Sequence, residues 1–434
     1  MTSSTATAHL LLAHRVAPGV FGDAFDELGR FHPNGLPDVL DEARWGLARM
    51  LRLHPGPEML YHQVADDRDH LGWKLPPSDA ADYGWGPGRE RVVYFADGAP
   101  QGRYKSASSG IANLAGRYAA AMALAHQTWK DDPRHKRFAE ECLSAGIEVY
   151  RLGRAREGVQ QGNSYGEPYR YAEETWADDM EWGAAALHRS TGETSYLEDA
   201  RRYARLASSV SWMGRDEAGH YQLYPFMNLG HHALHSQETT GTMKDDLAGY
   251  CREGLEATRL RAEANPYGVG VPFIWCSNNL VVELVTQGLL YERMTGDTRY
   301  GPIVATHRDW LLGRNPWGVS MFTGLAEGGR FSTQPHLSTT HLPKRSVRGG
   351  LVDGPVEAAI FRALRGVALS GPDAYAEFQA EQAVYHDDVM DCATNEPTMD
   401  GTASAVLMLA LLAAGEERRA TPYSLELSQA LYIE

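Results

Sequence analysis

The stretch "YAEETWADDMEWGAAALHRSTGETSYLEDARRYARLASSV", Tyr171–Val210, contains two apolar-patterned segments joined by a Thr-Gly turn. Small and apolar residues recur at intervals of three and four within each segment, which is the spacing of one face of an α-helix. Because the turn between them is short, the two helices are expected to fold back on each other as an α-helical hairpin.

The same pattern is found elsewhere in the chain. "SSGIANLAGRYAAAMALAHQTWKDD" (108–132) leads into "PRHKRFAEECLSAGIEVYRLG" (133–153), where Pro133 is expected to open the second helix. "SNNLVVELVTQGLLYERMTGD" (277–297) leads into "TRYGPIVATHRDWLLGRN" (298–315). Recurring hairpins indicate a ring of helices, whereas the strand-helix alternation of a doubly wound sheet is not seen. The pattern predicts an all-α toroid, with the chemistry on loops at one rim.

The composition excludes two classes of partner. The 434 residues include 41 Lys and Arg against 56 Asp and Glu, which gives a formal net charge of −15. Because this excess of negative charge repels phosphate backbones, no nucleic-acid partner is expected. No stretch reaches the ~18 consecutive apolar residues of a membrane span, so no membrane partner is expected either.

The cysteines and the first residues give little further indication of function. Cys142, Cys251, Cys276 and Cys392 are scattered and show neither CxxC nor Cys/His metal spacing, so neither a disulfide framework nor a zinc site is predicted. The opening "MTSSTATAHLLLAHRVAPG" (1–19) lacks a basic region and has a short apolar run, so it is not read as a signal peptide.

The loops contain the residues that suggest chemistry. The acidic loop, "YHDDVMDCATNEPTMDG" from Tyr385 to Gly401, has four Asp and one Glu in seventeen residues. It could be a solvated loop, a metal cage, or part of an acid/base pair that cleaves a bond. Three further polar loops accompany it: "YHQVADDRDHLGW" (61–73), "DWLLGRNPWGVSMFTGL" (309–325) and "STQPHLSTTHLPKRSVRGG" (332–350).

From about Asn34 onward the chain resembles glycoside hydrolase family 9, the inverting cellulases also called family E. "NGLPDVLDEARWGLARML" (34–51) is similar to the family's Asn-x-x-Pro-Asp-x-Leu-Asp-Glu helix. "DWLLGRNPWGVSMFTG" (309–324) is similar to its Leu-Gly-x-Asn-Pro-x-Gly-x-Ser segment, and "YHDDVMDCATNE" (385–396) to its Tyr-x-Asp-Asp…Asn-Glu signature. The resemblance implies an (α/α)6 toroid of six helical hairpins and a glycoside hydrolase that cleaves β-1,4-linked glucan.

The resemblance also implies the site residues. Glu396 is expected to be the general acid, a role that needs a carboxyl whose pKa is raised by burial or by neighbouring carboxylates. Asp387 and Asp388 are expected to supply that crowding or to orient the site. The residues expected to line one sugar-binding groove beside Glu396 are His70, Trp73, Trp317, His336 and Tyr385.

An inverting mechanism needs a second carboxylate, which activates water ~6.5–9.5 Å from the acid. In the family this base lies in an Asp-Ala-Gly-Asp segment that precedes the Asn-x-x-Pro-Asp helix, and residues 1–434 contain no such segment. Asp23 and Asp26 lack the Ala-Gly turn and are rejected as substitutes. We therefore expect a single catalytic domain over residues 1–434 that lacks its N-terminal part and hydrolyses glucan poorly. No immunoglobulin-like or carbohydrate-binding module is seen.

Two departures from the family pattern affect substrate choice. The Pro-His-His-Arg segment of the family keeps only His336 in register, and Gly401 replaces a Tyr that many family cellulases have five residues after the acid. Cellulose, mixed-linkage β-glucan, xyloglucan, cello-oligosaccharides or a glucosaminide therefore stay open as substrates.

Other functional interpretations also stay open. The first is a carbohydrate-binding pseudoenzyme, and the second is an exo-glucosaminidase specificity. The third is a lyase or epimerase in which His336 and Tyr385 transfer protons. No cofactor is required for hydrolysis, although Asp178 and Asp179 in "ETWADDMEW" could bind a structural calcium, because Ca²⁺ prefers hard oxygen ligands. Family members are usually secreted.

Overall fold

The chain is built mainly from α-helices. The computed structural model describes residues 2–70, 72–96, 104–105, 108–164, 173–215, 223–224, 227–239, 241–325, 328–364 and 366–430, with the side chains of 70, 104–105, 163–164 and 416–430 outside the description. The α-helices are α1 (Thr2–Val16), α2 (Asp38–Arg52), α3 (Ala112–Trp129), α4 (Lys136–Ala155), α5 (Ala177–Thr191), α6 (Thr194–Ala207), α7 (Leu229–His235), α8 (Thr242–Glu263), α9 (Ser277–Thr295), α10 (Gly301–Leu311), α11 (Ser338–His341), α12 (Ala358–Ala363) and α13 (Met399–Ala430).

The predicted hairpins are present, and two of them share one turn. Gly192 follows α5 and Gly296 follows α9, and both adopt left-handed φ angles of 74° and 76°. In the first turn, the hydroxyl of Thr191 donates to Leu187 O at 2.9 Å and accepts from Glu193 N at 3.1 Å. A left-handed glycine ends a helix without the steric cost that a side chain would bring. The repeated Thr-Gly pair is therefore a helix-terminating turn.

The helices close into a ring. α1, α3, α5, α7, α9 and α13 contact one another in this order, and α13 packs back against α1. The helices α2, α4, α6, α8 and α10 pack outside the inner helix that precedes each of them. This arrangement confirms the predicted (α/α)6 toroid.

One helix boundary differs from the prediction. α4 begins at Lys136 and not at Pro133. The carboxylate of Asp132 accepts from Arg134 N at 2.9 Å and lies 3.1 Å from His135 Nδ1. These bonds form a turn of residues 132–135, which delays the start of the helix.

Strands are short in the described residues. β1 (Tyr61–Val64) pairs antiparallel with β2 (Val93–Phe95), with Tyr61 opposite Phe95 and Val64 opposite Val93. β3 (Tyr104–Lys105) pairs antiparallel with β4 (Asn163–Ser164). Short 3-10 turns complete the elements: Pro18–Val20, Asp67–His70, Pro76–Ser78, Trp212–Gly214 and Ala376–Phe378.

The apolar core has two main parts. One lies among α1–α6, and the other joins α8, α9, α10 and α13 to residues of the loops 317–322, 351–352 and 383–385. Isolated β-bridges connect these loops to one another, for example Phe322 to Leu351 and Val352 to Pro397. The loops that carry the acidic motif are therefore anchored in the second core.

No helix in the described part of the chain combines the length and the apolar character that a membrane crossing needs.

Candidate active site

The acidic loop is held in shape by its own side chains. Asp391 is fully buried, and its carboxylate accepts from Ala393 N at 2.8 Å and from the Thr394 hydroxyl at 2.7 Å. The ring nitrogen Nδ1 of His386 lies 2.8 Å from the same carboxylate. The backbone just before Glu396 is therefore rigid, as a positioned catalytic group requires.

Asn395 connects the acidic loop to the segment 332–336. Its Oδ1 accepts from the hydroxyls of Ser332 at 2.8 Å and Tyr385 at 3.1 Å, and its Nδ2 donates to Gln334 O at 2.7 Å. His336 N donates to Asn395 O at 2.9 Å. Asn395 therefore fixes His336 next to the position of Glu396.

Glu396 lies between this loop and the start of α13. Its carbonyl oxygen accepts from Asp353 N at 2.9 Å. Burial raises the pKa of the Glu396 carboxyl to about 7, because the charged form is poorly solvated there. A carboxyl that stays protonated near neutral pH can act as a general acid.

The structure places a second carboxyl beside Glu396 that the sequence prediction missed. Asp353 is 3% exposed, and burial together with the charge of Glu396 raises its pKa well above the ordinary value. The signal was present in "GGLVDGPVE" (349–357), where a single Asp lies between apolar residues and a Gly-Pro pair. Such a pattern indicates a buried carboxyl on an extended segment.

Asp387 and Asp388 hold loops in place. The carboxylate of Asp387 accepts from Thr333 N at 2.9 Å, from Gln334 N at 2.8 Å and from the Thr333 hydroxyl at 2.9 Å. Asp388 accepts from the backbone and the hydroxyl of Ser370, both at 2.8 Å. Of the two predicted roles, crowding and orientation, these contacts favour orientation, since the carboxyl that interacts with Glu396 is Asp353.

Trp73 reaches the same region from the N-terminal half of the chain. Its ring is half-buried, lies 4.6 Å from the His336 ring and stacks on His341 at 4.4 Å. His341, on α11, was not among the predicted site residues, although it lies in one of the polar loops. Trp73 packs against His336, His336 is hydrogen-bonded to Asn395, and Asn395 directly precedes Glu396. The three predicted site residues Trp73, His336 and Glu396 therefore lie in one region. His70 ends a 3-10 turn, and its side chain lies outside the described part.

Trp317 and Tyr385 are placed differently from the predicted groove. Trp317 is 2% exposed and Tyr385 is 0% exposed, with their ring centroids 5.6 Å apart. Trp317 Nε1 donates to Gln379 Oε1 at 3.0 Å, and the Tyr385 hydroxyl donates to Asn395. Both rings are therefore packed inside the protein against the acidic loop, and neither presents a face on which a sugar could stack.

Asp178 and Asp179 do not fit the suggested calcium site. Arg117 Nε lies 2.9 Å from Asp179 Oδ1, and its guanidinium also pairs with Glu173, so a buried cation already lies against Asp179. Burial raises the pKa of Asp178 to about 6. In the described ranges, no group of three or more His, Cys, Asp or Glu residues could hold a metal ion.

Asp23 and Asp26 bind the backbone of their own loop. Asp23 accepts from Asn34 N at 2.9 Å and Gly35 N at 2.7 Å, and Asp26 accepts from Leu28 N at 2.9 Å. Their oxygens hold the loop that precedes α2.

Comparisons with known proteins agree on one family. The sequence profile of glycosyl hydrolase family 9 matches residues 1–409. The chain is 24% identical over 427 residues to "Endoglucanase 23" of Oryza sativa subsp. japonica, which covers 90% of this chain and 75% of that protein. It is 27% identical over 180 residues to "Endoglucanase 5" of Arabidopsis thaliana, covering 41% and 26% of the two chains. The match to "Cellulose 1,4-beta-cellobiosidase" of Acetivibrio thermocellus is 23% over 336 residues, covering 68% and 34%.

The matched parts are short in several relatives. The chain spans about a quarter to a third of the length of four Arabidopsis thaliana endoglucanases that it matches.

Solved structures share the fold. A metagenome-derived glycoside hydrolase family 9 endoglucanase superposes with a TM-score of 0.69 at 23% identity, covering 95% of this chain and 68% of that one. The cellulase Cel9M of C. cellulolyticum superposes with a TM-score of 0.65 at 18% identity, covering 94% and 83%.

Proposed function

Because the chain belongs to glycosyl hydrolase family 9, we propose that it hydrolyses β-1,4-linked glucan with inversion and with Glu396 as the general acid. The substrate class is cellulose, mixed-linkage β-glucan or cello-oligosaccharides. The endoglucanase and cellobiosidase names of its relatives support this class.

The observation that carries the proposal is the environment of Glu396. A departing sugar is a poor leaving group, so its oxygen must receive a proton as the glycosidic bond breaks. Burial raises the pKa of Glu396 to about 7, and the carboxyl therefore retains that proton up to neutral pH. The neighbouring rings of Trp73 and His336 offer an aromatic face and a polar group, the combination that sugar rings and hydroxyls use.

The second part of the proposal concerns the catalytic base, the group that would activate water. Residues 1–434 contain no Asp-x-Gly-Asp segment, and Asp23 and Asp26 are engaged by backbone N–H groups. We assign no residue of this chain to the activation of water. Hydrolysis by the chain itself is therefore expected to be slow, since an unassisted water must attack the anomeric carbon.

The test is glucan hydrolysis with and without azide. Bond cleavage is measured from the chain lengths of carboxymethylcellulose, mixed-linkage β-glucan, xyloglucan and cellopentaose, because a glycosyl azide has no reducing end, and the product anomer is followed by proton NMR. Azide is an anion that attacks without a general base, while Glu396 still protonates the leaving oxygen. We expect a slow, inverting reaction that azide accelerates by roughly 10-fold or more, with an α-glycosyl azide as product.

The outcomes separate the parts of the proposal. Fast turnover without azide would show that a base exists in the chain, and retention of configuration would contradict the inverting mechanism. If the folded protein releases no product from any of these glucans in either condition, the hydrolase proposal is overturned. A matched control is Glu396→Gln, on which azide should have little effect with natural glucans.

A further inference from the structure

Asp353 and Glu396 are held side by side by a short backbone ladder. Asp353 N donates to Glu396 O at 2.9 Å, and Gly354 N donates to Thr394 O at 3.1 Å. Val352 and Pro397 form the adjacent β-bridge. The backbones of the two carboxyl-bearing residues are therefore fixed relative to each other.

The segment of Asp353 is also fixed from its other side. Asn278, in the first turn of α9, donates its N–H to Asp353 O at 2.9 Å and its Nδ2 to Val352 O at 2.8 Å. The thiol of Cys276, just before α9, hydrogen-bonds to the Asp353 carboxylate. Asp353 Oδ1 is buried and has no hydrogen-bond partner among the described residues.

Apart from His336, whose pKa is lowered by burial, the titratable groups around the pair are acidic or neutral. The residue before α9 is Cys276, α13 contributes Asp400, and the acidic loop contributes Asp391 and Cys392. The nearest basic side chain on the acidic loop is His386, which is engaged with Asp391 at 2.8 Å. In the described ranges neither Asp353 nor Glu396 has a Lys, Arg or His partner within ion-pair distance.

Two buried carboxyls without a counter-charge cannot both be ionised at low cost. We propose, on the basis of the proposed function, that Asp353 is a positioning residue for the acid: the charges of the two carboxyls act on each other through space, so that the pair as a whole shares one proton near neutral pH. When Asp353 carries the negative charge, Glu396 holds the proton that hydrolysis needs. The pair then titrates in two separate steps, and Glu396 stays competent until the second step.

The first experiment measures protonation without any substrate. Infrared difference titration of the folded protein follows the C=O stretch of protonated carboxyl groups from pH 4 to pH 10. We expect two steps from the pair in the wild type. Asp353→Asn and Glu396→Gln should each leave one step, and Asp353→Ser serves as a second variant in case the amide is poorly accommodated. A single step from wild type, or no difference between wild type and Asp353→Asn, would overturn the proposal.

The second experiment uses turnover. The alkaline limb of kcat on cello-oligosaccharide should move to lower pH by about one unit in Asp353→Asn and Asp353→Ser, because the proton is no longer shared. KM should change little. A merely structural role would lower kcat by the same factor at every pH and leave the limb in place, which would contradict the proposal.

A matched control is Asp199→Asn, which neutralises another buried carboxyl, on the outer helix α6 and paired with Arg154. It should leave the alkaline limb unmoved. If no variant and no wild-type sample hydrolyses glucan, the proposed function fails, while the two-step infrared titration still decides whether the proton is shared.

Discussion

Glu396 combines poor solvation with a fixed backbone, and both properties follow from its place between the acidic loop and α13. Glu396→Gln keeps the shape and removes the proton. Hydrolysis of natural glucans should fall by roughly 10²–10⁴-fold, whereas aryl glycosides with good leaving groups should be affected much less. Initial rates on both substrate types measure this difference. Equal loss on both types would indicate that Glu396 binds substrate and does not protonate it.

The same carboxyl should destabilise the fold at high pH. Its folded-state pKa of about 7 exceeds the ordinary value of 4.5, so the folded protein binds the proton more tightly than the unfolded chain. Stability is therefore lost as pH rises from 4.5 through 7. Glu396→Gln removes this loss and should be more stable than wild type at pH 8 by at most about 3 kcal/mol, with little gain at pH 4. Urea unfolding at the two pH values measures it, and an equal difference at both would contradict the raised pKa.

At the scale of elements, Asp387 clamps the segment that leads to His336. Asp387→Asn replaces a charged acceptor of two backbone N–H groups by an amide, so we expect a loss of about 2–3 kcal/mol in unfolding free energy. KM should also rise, because His336 depends on that segment. Asp26→Asn, which removes a comparable turn acceptor far from the acid, should leave KM unchanged. An unchanged KM in the Asp387 variant would mean that the bonds of Asp387 to residues 333–334 do not position His336.

The inner helices α3 and α5 pack closely at a point where each helix has a glycine. A Cβ at Gly116 would overlap the backbone of Asp179 and lie 2.5 Å from Met180 N, and a Cβ at Gly183 would lie 2.7 Å from Gly116 O. Backbone atoms of packed helices cannot move aside easily, so Gly116→Ala should destabilise by about 2–3 kcal/mol. Gly415→Ala, on α13 with no atom within 4 Å of the added methyl, should be neutral or gain about 0.5 kcal/mol. Thermal unfolding compares the two, and similar effects would contradict the close approach.

At the scale of the whole molecule, buried histidines oppose the carboxyls in their pH dependence. Burial lowers the pKa of His9 to about 3, and those of three further histidines to about 4: His62, His232 and His307. Their folded-state pKa lies below the ordinary 6.5, so stability is lost as pH falls from 6.5 toward 4. The carboxyls Glu396 and Asp178 act in the opposite direction over nearly the same pH range, but the four histidines outnumber them, so stability should rise from pH 4 to about pH 7 and change little above it.

Calorimetry from pH 4 to pH 9 tests this rise and plateau. His9 Nδ1 lies 3.0 Å from the Ser404 hydroxyl, across the contact between α1 and α13 that closes the ring. His9→Asn removes one protonation site, so its Tm relative to wild type should improve at pH 4.5 compared with pH 7.5. A wild-type Tm that does not change between pH 4 and pH 6.5 would contradict the account.

The sequence by itself determined the helical hairpins and, through a resemblance, indicated Glu396 as the candidate acid. Helical spacing and the Thr-Gly turns are local properties of the chain, so the hairpins of residues 108–153, 171–210 and 277–315 were predictable. The acidic loop was predicted by its resemblance to a family signature. Pro133 was misjudged as a helix start, because the turn formed by Asp132 competes with the helix over the same residues.

Only the tertiary structure decided what surrounds the acid. Trp317 and Tyr385 lie in polar, Gly-rich sequence that suggests exposure, yet the ring of helices and the bridged loops bury them completely. Asp353 is 43 residues from Glu396 in sequence, and only the ladder between their segments brings them together. Likewise, the ion pair between Arg117 of α3 and Asp179 joins residues that are 62 positions apart in the sequence. Burial and charge pairing depend on atoms contributed by distant segments, and a pattern along one segment contains no information about them.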